Sequence, residues 1–396
     1  MTESCVLPVR FIWQARCFAS SYTKRDKLLK NSSYKIGLAC GGTGGHVFPG
    51  LATAEVLRDR GHKVTLWLVG KDVEQEAVRH WTGPIVNIPA EGFSTLFSFR
   101  VLVVAWKLHR AARRCYKIMK EEPPDVLLAM GSYASVGPVR AAMKLKIPII
   151  LHEANVIPGR AVVFLSRWAT TMAASFEETR YYLKGKDLQV TGMPLRRGLT
   201  PSAGHRNASA SDRKKELTIL VMGGSRSAQK INEVASQALC KVHQQGYPFH
   251  VIHLPGIEDE ASVKRRYVTH GISHEVFPFA HDMISIYTLT DLAICRSGAS
   301  TCAEVLAFSV PALFIPYPYA TRNHQTLNAR ALEKRGAVDV VDEKDVGVDW
   351  LVEYIADCLQ TPKRLAKMSA VSSRISSHNA SEALADLVIK AVTTSQ

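Results

Sequence analysis

From Tyr34 onward, short apolar runs alternate with longer segments of helical spacing. "YKIGLAC" reads as a strand, "PGLATAEVLRDRGH" keeps its apolar residues at helical spacing until Gly61 stops it, and "KVTLWLVG" reads as the next strand. A glycine turn, Gly41 to Gly45, joins the first strand to the helix. Strand, turn, helix and strand make one βαβ unit, and such alternation predicts a parallel sheet covered by helices. Further strands are expected at "DVLLAMG", "IPIILHE" and "LQVTG", which carries a first domain over 35–197. The stretch "GLTPSAGHRNASASDRKKE" is rich in Ser, Ala, Gly and charge and reads as a linker, so 198–216 is set apart. The plan then restarts over 217–365: "LTILVMGGSRSAQKINEVASQALCKV" is again strand, glycine turn and helix, followed by strands at "FHVIHLPG", "HEVFPF", "LAICRS" and "PALFIPYP". Two such halves predict an α/β fold of two Rossmann-like domains facing a central cleft. The chain from about Leu351 reads as helical, with 366–396 as a closing segment able to pack back across both domains.

Composition adds limits. At 396 residues, 46% of them hydrophobic, the chain has enough apolar surface for two ordinary domains. Every apolar stretch is interrupted well before the ~18 residues that a membrane-spanning helix needs. The net charge of +15 calls for an anionic partner, and by itself it admits nucleic acid, an acidic membrane surface or a phosphorylated substrate. The cysteines at 5, 17, 40, 115, 240, 295, 302 and 358 form no CxxC pair or metal-like cluster and read as reduced packing residues. Residues 1–34 carry an excess of Lys and Arg, and three readings stay open for them: a mis-assigned start or disordered tail, an amphipathic anchor on anionic lipid, and an organelle transit peptide.

The glycine turn has the chemistry of an anion site, because backbone N–H groups at a helix start point at whatever lies there and the helix dipole adds positive potential. It is no P-loop, and Val47 stands where GxGxxG would need its last glycine. A second turn at Gly223-Gly224-Ser225 sits alike in the other half. His46 follows the first turn at once, where the dipole favours the neutral ring that a general base requires; the alternative is a histidine that caps or packs locally. Glu304 is suited to a ribose diol, but Thr301 to Glu304 also has capping-box spacing. "LHEAN", "TGMPLR" and "RNHQTLNA" follow apolar runs, which suits Arg196 to a phosphate and Gln325 to sugar hydroxyls, unless each is a solvated loop residue. In 92–120 an apolar half precedes Lys107, His109, Arg110, Arg113, Arg114, Lys117 and Lys120; an anionic membrane surface and a buried helix with one solvated basic face both fit.

Taken together and in order, "GGTGGHVFPGLA", "HEAN", "GGSRSA", "CRSGASTCAE", "PALFIPYP" and "HQTLNA" resemble the MurG family, the UDP-N-acetylglucosamine:lipid I N-acetylglucosaminyltransferases of bacterial peptidoglycan synthesis. The resemblance spans about 35–390 and implies a GT-B glycosyltransferase fold, with the nucleotide sugar held mainly by the second domain and the lipid acceptor by the first. It implies that Thr43, Gly44 and Gly45 lie near the reacting sugar and diphosphates, and that Gly42, Gly131, Ser132 and Tyr133 serve the acceptor and its diphosphate. Asn155 would meet the transferred sugar, and Arg196 and Ser225 the donor's phosphates. Ala280, Ala299, Ser300, Thr301, Cys302, Ala303 and Glu304 would surround uridine, with Glu304 on its ribose, while His324 and Gln325 hold the sugar. His46 would be the base in a single inverting displacement, with no cofactor and no metal, since no acidic ligand cluster is visible. The implied partners are UDP-N-acetylglucosamine, lipid I and an anionic membrane surface, not nucleic acid; the implied location is peripheral, on the cytoplasmic face of the membrane. Departures from the family pattern fall at Ser132, Met193, Arg226 and Ser227, and no acid directly precedes His324. Three rivals remain: another GT-B enzyme on a lipid acceptor, a nucleotide-sugar epimerase, and a catalytically silent binding protein.

Overall fold

The computed structural model describes residues 33–88, 100–199, 216–223, 229–280, 282–377 and 379–395. Expectations for 1–32, for the apolar residues 92–99, for most of the linker and for Gly224 to Ser227 therefore lie outside the described residues.

The first half holds seven parallel strands in the order β3-β2-β1-β4-β5-β6-β7: β1 Lys35–Ala39, β2 Lys63–Leu68, β3 Ile85–Asn87, β4 Val126–Ala129, β5 Ile149–Glu153, β6 Thr171–Ala174 and β7 Leu188–Val190. The second holds six in the order β10-β9-β8-β11-β12-β13: β8 Leu217–Met222, β9 Phe249–Leu254, β10 Ser273–Val276, β11 Leu292–Cys295, β12 Ala312–Phe314 and β13 Asp339–Val340. Central strands such as "VLLA", "IILHE" and "LAIC" are buried along their whole length, as strands covered on both faces must be. Of these strands, β3, β6 and β13 carry no strong apolar run and were not expected from the sequence.

In each sheet the strand order reverses at one point, between β1 and β4 and between β8 and β11. Ligands of open α/β sheets bind in the crevice that this reversal opens at the carboxyl ends. Gly41 to His46 and Gly131 to Tyr133 meet at the first crevice; Gly223 and the run from Arg296 meet at the second.

Helix α1 runs Gly44–Asp59, so it starts inside the glycine turn, two residues ahead of His46, where the sequence suggests its beginning. Proline at a first helical position and glycine outside helices are the usual pattern, and here both are reversed. Packing is the cause at Gly50, where a Cβ would stand 2.4 Å from the Cβ of Cys40 on the strand side. Only glycine lets the helix lie that close to the sheet.

The closing segment divides. Helix α12, Pro362–Ile375, puts Leu365 and Met368 into the core of the second half. Helix α13, Ala380–Ser395, crosses back, and its Leu384, Ala385, Val388 and Val392 share a core with Ile36, Leu38 and Leu57. Arg60 ties the same helix down through Glu382 and Asp386. The six described cysteines, 40, 115, 240, 295, 302 and 358, are free and buried.

Candidate functional site

At the first crevice Gly42 adopts φ +130, and a Cβ there would meet Ser132 at 3.2 Å. Its N–H donates to Glu74 Oε1 at 2.6 Å. Glu74 is fully buried, and its Oε2 accepts from the N–H groups of Val69, Gly70 and Lys71 at 2.9, 2.7 and 3.3 Å. This carboxylate holds two turns together, and nothing in "KDVEQEA" points to a glycine 32 residues earlier. The Gly42 amide is thus engaged within the protein. The N–H groups of Thr43, Gly44 and Gly45 have no partner among the described residues, so the anion-binding capacity of the turn lies there.

Thr43 is the N-cap of α1, in extended conformation, and His46 is the third helical residue. Burial pushes the His46 imidazole down to about 4, so the ring is neutral near pH 7. His46 Nδ1 lies 3.0 Å from Thr43 Oγ1. Behind it the buried His152, also pushed down to about 4 by burial, sits 3.3 Å from the carbonyl of Gly192. The departure Ser132 is accommodated: its hydroxyl donates to the carbonyl of Gly41 and accepts from Ala134 N–H. Gly131 must be glycine, for at φ +85 a Cβ would lie 2.7 Å from the carbonyl oxygen of His152. Tyr133 stacks beneath Lys71 Nζ, 5.4 Å from the ring centre.

At the second crevice helix α9, Ala299–Ala307, begins after an N-cap at Gly298. Thr301 is thus the third helical residue and Glu304 the sixth, which overturns the capping-box reading: a side chain one and a half turns inside cannot reach the cap amide. Glu304 instead accepts from the hydroxyl of Tyr287 at 2.9 Å. Burial raises its carboxyl above the ordinary range, against the opposing pull of Tyr287 and Arg196. Ala299, Ser300, Thr301 and Ala303 are half-buried along the crevice, whereas Cys302 points into the core and offers a ligand only its backbone. His324 Nδ1 is held at 2.9 Å from the carbonyl of Thr321. Gln325 Oε1 accepts from Tyr317 N–H at 2.9 Å, which leaves the amide NH2 for a ligand. Ala280 is half-buried beside the exposed Phe279. Ser225 lies outside the described residues.

Polar contacts join the halves. The buried Glu153 accepts from Asn155 Nδ2 at 3.2 Å and from its N–H at 2.8 Å. Asn155 Oδ1 in turn accepts from Asn328 Nδ2, 3.1 Å away on helix α10, His324–Glu333. Asn328 is completely buried and also accepts from Val156 N–H at 3.0 Å while donating to the carbonyl of Ser297. Arg322, at φ 56, donates to the carbonyl of Pro158 at 2.7 Å. Arg196 stacks 4.5 Å over the Phe48 ring on α1 and acts electrostatically on Glu304 across the cleft. One cleft therefore brings together His46, Asn155, Arg196, Glu304 and Gln325.

Helix α3, Arg100–Glu121, buries Ala111, Cys115 and Met119 and exposes Lys107, His109, Arg110, Arg113, Arg114, Lys117 and Lys120, with Trp106 60% exposed at the head of that face. Among the described residues no helix is long and apolar enough to cross a membrane.

The chain matches the model of the glycosyltransferase family 28 N-terminal domain over 36–174 and that of the family's C-terminal domain over 218–387. The UDP-N-acetylglucosamine–N-acetylmuramyl-(pentapeptide) pyrophosphoryl-undecaprenol N-acetylglucosamine transferase of a Thermoanaerobacter species is 35% identical over 366 residues, covering 90% of this chain and 99% of its own. The like-named protein of Myxococcus xanthus is 32% identical over 357 residues, 90% of this chain and 92% of the relative. Among solved structures, MurG of Acinetobacter baumannii superposes with a TM-score of 0.75 at 27% identity, covering 91% of this chain and all of the other. A Listeria monocytogenes protein described as a UDP-N-acetylglucosamine 2-epimerase reaches a TM-score of 0.65 at 14% identity, a likeness of fold alone. Two switch-point crevices on two parallel sheets, facing one cleft, are the frame of a GT-B glycosyltransferase, and the chain belongs to glycosyltransferase family 28, among the UDP-N-acetylglucosamine–N-acetylmuramyl-(pentapeptide) pyrophosphoryl-undecaprenol N-acetylglucosamine transferases.

Proposed function

We propose that this chain transfers N-acetylglucosamine from UDP-N-acetylglucosamine to the C4 hydroxyl of the muramyl sugar of lipid I, forming lipid II with inversion, with His46 as the base. The observation that carries this reading is Arg196, which stacks on Phe48 two residues from His46 and acts on Glu304 in the other half, so that both crevices open on one cleft. When Nδ1–H of His46 donates to Thr43 Oγ1, the Nε2 lone pair is free to take the hydroxyl proton. The hydroxyl oxygen attacks the anomeric carbon as its proton passes to Nε2, and the bond to the diphosphate breaks. Charge gathering on UDP meets the open N–H groups of Thr43, Gly44 and Gly45, the helix dipoles at the two crevices and the Arg196 guanidinium. Glu304 takes the ribose, Gln325 and Asn155 take the sugar, and the Glu153 and Asn328 contacts fix the Asn155 amide.

In the same reading the domain over 35–197 serves the acceptor and that over 217–365 the donor. The basic face of α3 approaches anionic lipid, and the enzyme works as a peripheral protein on the cytoplasmic face of the membrane. The test is incubation of the purified protein with labelled UDP-N-acetylglucosamine and a lipid I analogue, with analysis of the product linkage. A β-1,4 disaccharide on the lipid is expected. Transfer to diacylglycerol in preference, or consumption of the sugar nucleotide with no acceptor present, would overturn it.

A further inference from the structure

Tyr287 has no place in the reaction described so far, although it is among the largest fully buried side chains in the molecule. It stands on helix α8, Met283–Leu289, with its ring stacked on Phe308 at 5.3 Å and 25°. Packing alone would be served by phenylalanine. The hydroxyl instead lies 2.9 Å from Glu304 Oε2, while its other neighbour, Met222 Sδ, is 4.0 Å away. A phenol has one proton, and the nearer, stronger acceptor takes it.

We infer that Tyr287 is a positioning residue for nucleotide recognition: its hydroxyl locks the Glu304 carboxylate in one rotamer, with Oε1 presented to the ribose diol, so that the two ribose hydroxyls become a condition of tight binding. The inference rests on the proposed contact between Glu304 and the donor's ribose. Without the phenol, a glutamate side chain in a half-buried crevice would regain rotamer freedom and lose the donor that opposes its desolvation. The groups around it sharpen the dependence. Burial drives the thiols of Cys295 on β11 and Cys302 on α9 well upward, so both stay neutral and neither donates charge. The Tyr287 phenol is likewise raised by burial and by Glu304, and stays protonated. The guanidinium of Arg196, reaching from the other half, favours the charged carboxylate.

Removing the phenol oxygen takes away a stabiliser of the charged carboxylate, so its protonation should begin at higher pH. A nucleotide that needs the ionised form would then be lost earlier as pH falls.

The experiment compares UDP with 2′,3′-dideoxy-UDP by calorimetric titration from pH 5 to 8, on the wild-type chain, Tyr287→Phe and Glu304→Gln. Wild-type protein should prefer UDP; Tyr287→Phe should weaken UDP by about tenfold or more, the size of a lost hydrogen bond to a charged group, while leaving the dideoxy nucleotide unchanged. Its acid limb for UDP should move upward. The phenylalanine keeps the ring and its stacking, so a thermal melt close to wild type is expected. If Tyr287→Phe weakens both nucleotides equally, or leaves the preference and the acid limb where they were while Glu304→Gln abolishes the preference, Tyr287 is a packing residue and the inference fails. A wild-type chain that binds both nucleotides alike would reject the ribose contact itself, and the role of Tyr287 with it.

Discussion

A histidine can serve as a base only where its ring is neutral and one nitrogen is free, and both conditions come from its immediate neighbours. His46 is kept neutral by burial at a helix start, and Thr43 engages Nδ1. Replacing His46 with alanine should reduce kcat by about 10² to 10⁴, the usual contribution of general-base catalysis, with UDP affinity nearly unchanged. The sign of the pH dependence follows from the same residue: a base must be deprotonated, so kcat at saturating donor holds at neutral pH and falls only as pH drops toward about 4. An acid limb of kcat near 6.5 at saturating UDP-N-acetylglucosamine would remove His46 from that role. Glu74 acts one step further back. Four backbone N–H groups converge on its carboxylate, and glutamine would turn an NH2 donor toward some of them. Glu74→Gln should therefore destabilise the fold by roughly 1 to 3 kcal/mol and depress kcat through the turn that carries Thr43 and His46. Urea unfolding with turnover measured on the same preparation checks both, and a variant as stable as wild type would show that the turn does not depend on this anchor.

At the scale of elements, what the sequence revealed was what periodicity encodes. The apolar runs "KIGLA", "KVTLWL", "VLLA" and "LTILVM" became strands where they were expected, and each glycine turn fell at a strand end. Strands β3, β6 and β13 were missed because two to four residues with exposed or alanine-rich sequence carry no period, and only their neighbours in the sheet make them strands. The same limit hid Glu74, Asn328 and Tyr287. Each works through a contact across the fold, 32 residues from Gly42, 173 from Asn155 and 17 from Glu304, and no spacing rule announces such pairs. The motifs themselves were legible because each groups several of its positions within one turn and the helix after it. Helix α3 is legible by charge: its basic residues form one solvated face once Ala111, Cys115 and Met119 are buried. Changing Arg110, Arg113 and Arg114 to glutamine should weaken binding to vesicles containing anionic lipid by about 1 kcal/mol per charge removed, and leave turnover on a short-chain soluble acceptor intact. Vesicle sedimentation that is indifferent to the three changes would leave this face as an ordinary solvated one.

At the scale of the whole molecule, titratable groups buried inside each half tie stability to pH. His152 in the first half and His253 in the second are both buried, pushed down by desolvation to about 4 and about 3 from an ordinary 6.5. In the unfolded chain each ring takes a proton as pH falls below ~6.5, whereas in the folded chain neither does so until far lower. Both rings thus contribute stability that is fully present above that value and drains away on the acid side. The raised carboxyls of Glu153 and Glu304 act in the opposite sense, since the folded chain binds their protons first. Separating these effects needs a single-site comparison. His253 sits between the Tyr267 hydroxyl, 2.8 Å from Nδ1, and the Asn232 side chain, 3.1 Å from Nε2, so glutamine can keep part of that network without a titrating ring. His253→Gln should be less stable than wild type at pH 7. By pH 5 that gap should narrow by about 2 kcal/mol, because the wild-type chain alone loses the contribution of a ring that must charge on unfolding. Urea denaturation of both proteins at the two pH values measures the change, and a gap that stays constant would mean that the buried ring is already charged in the folded state or is reached by water.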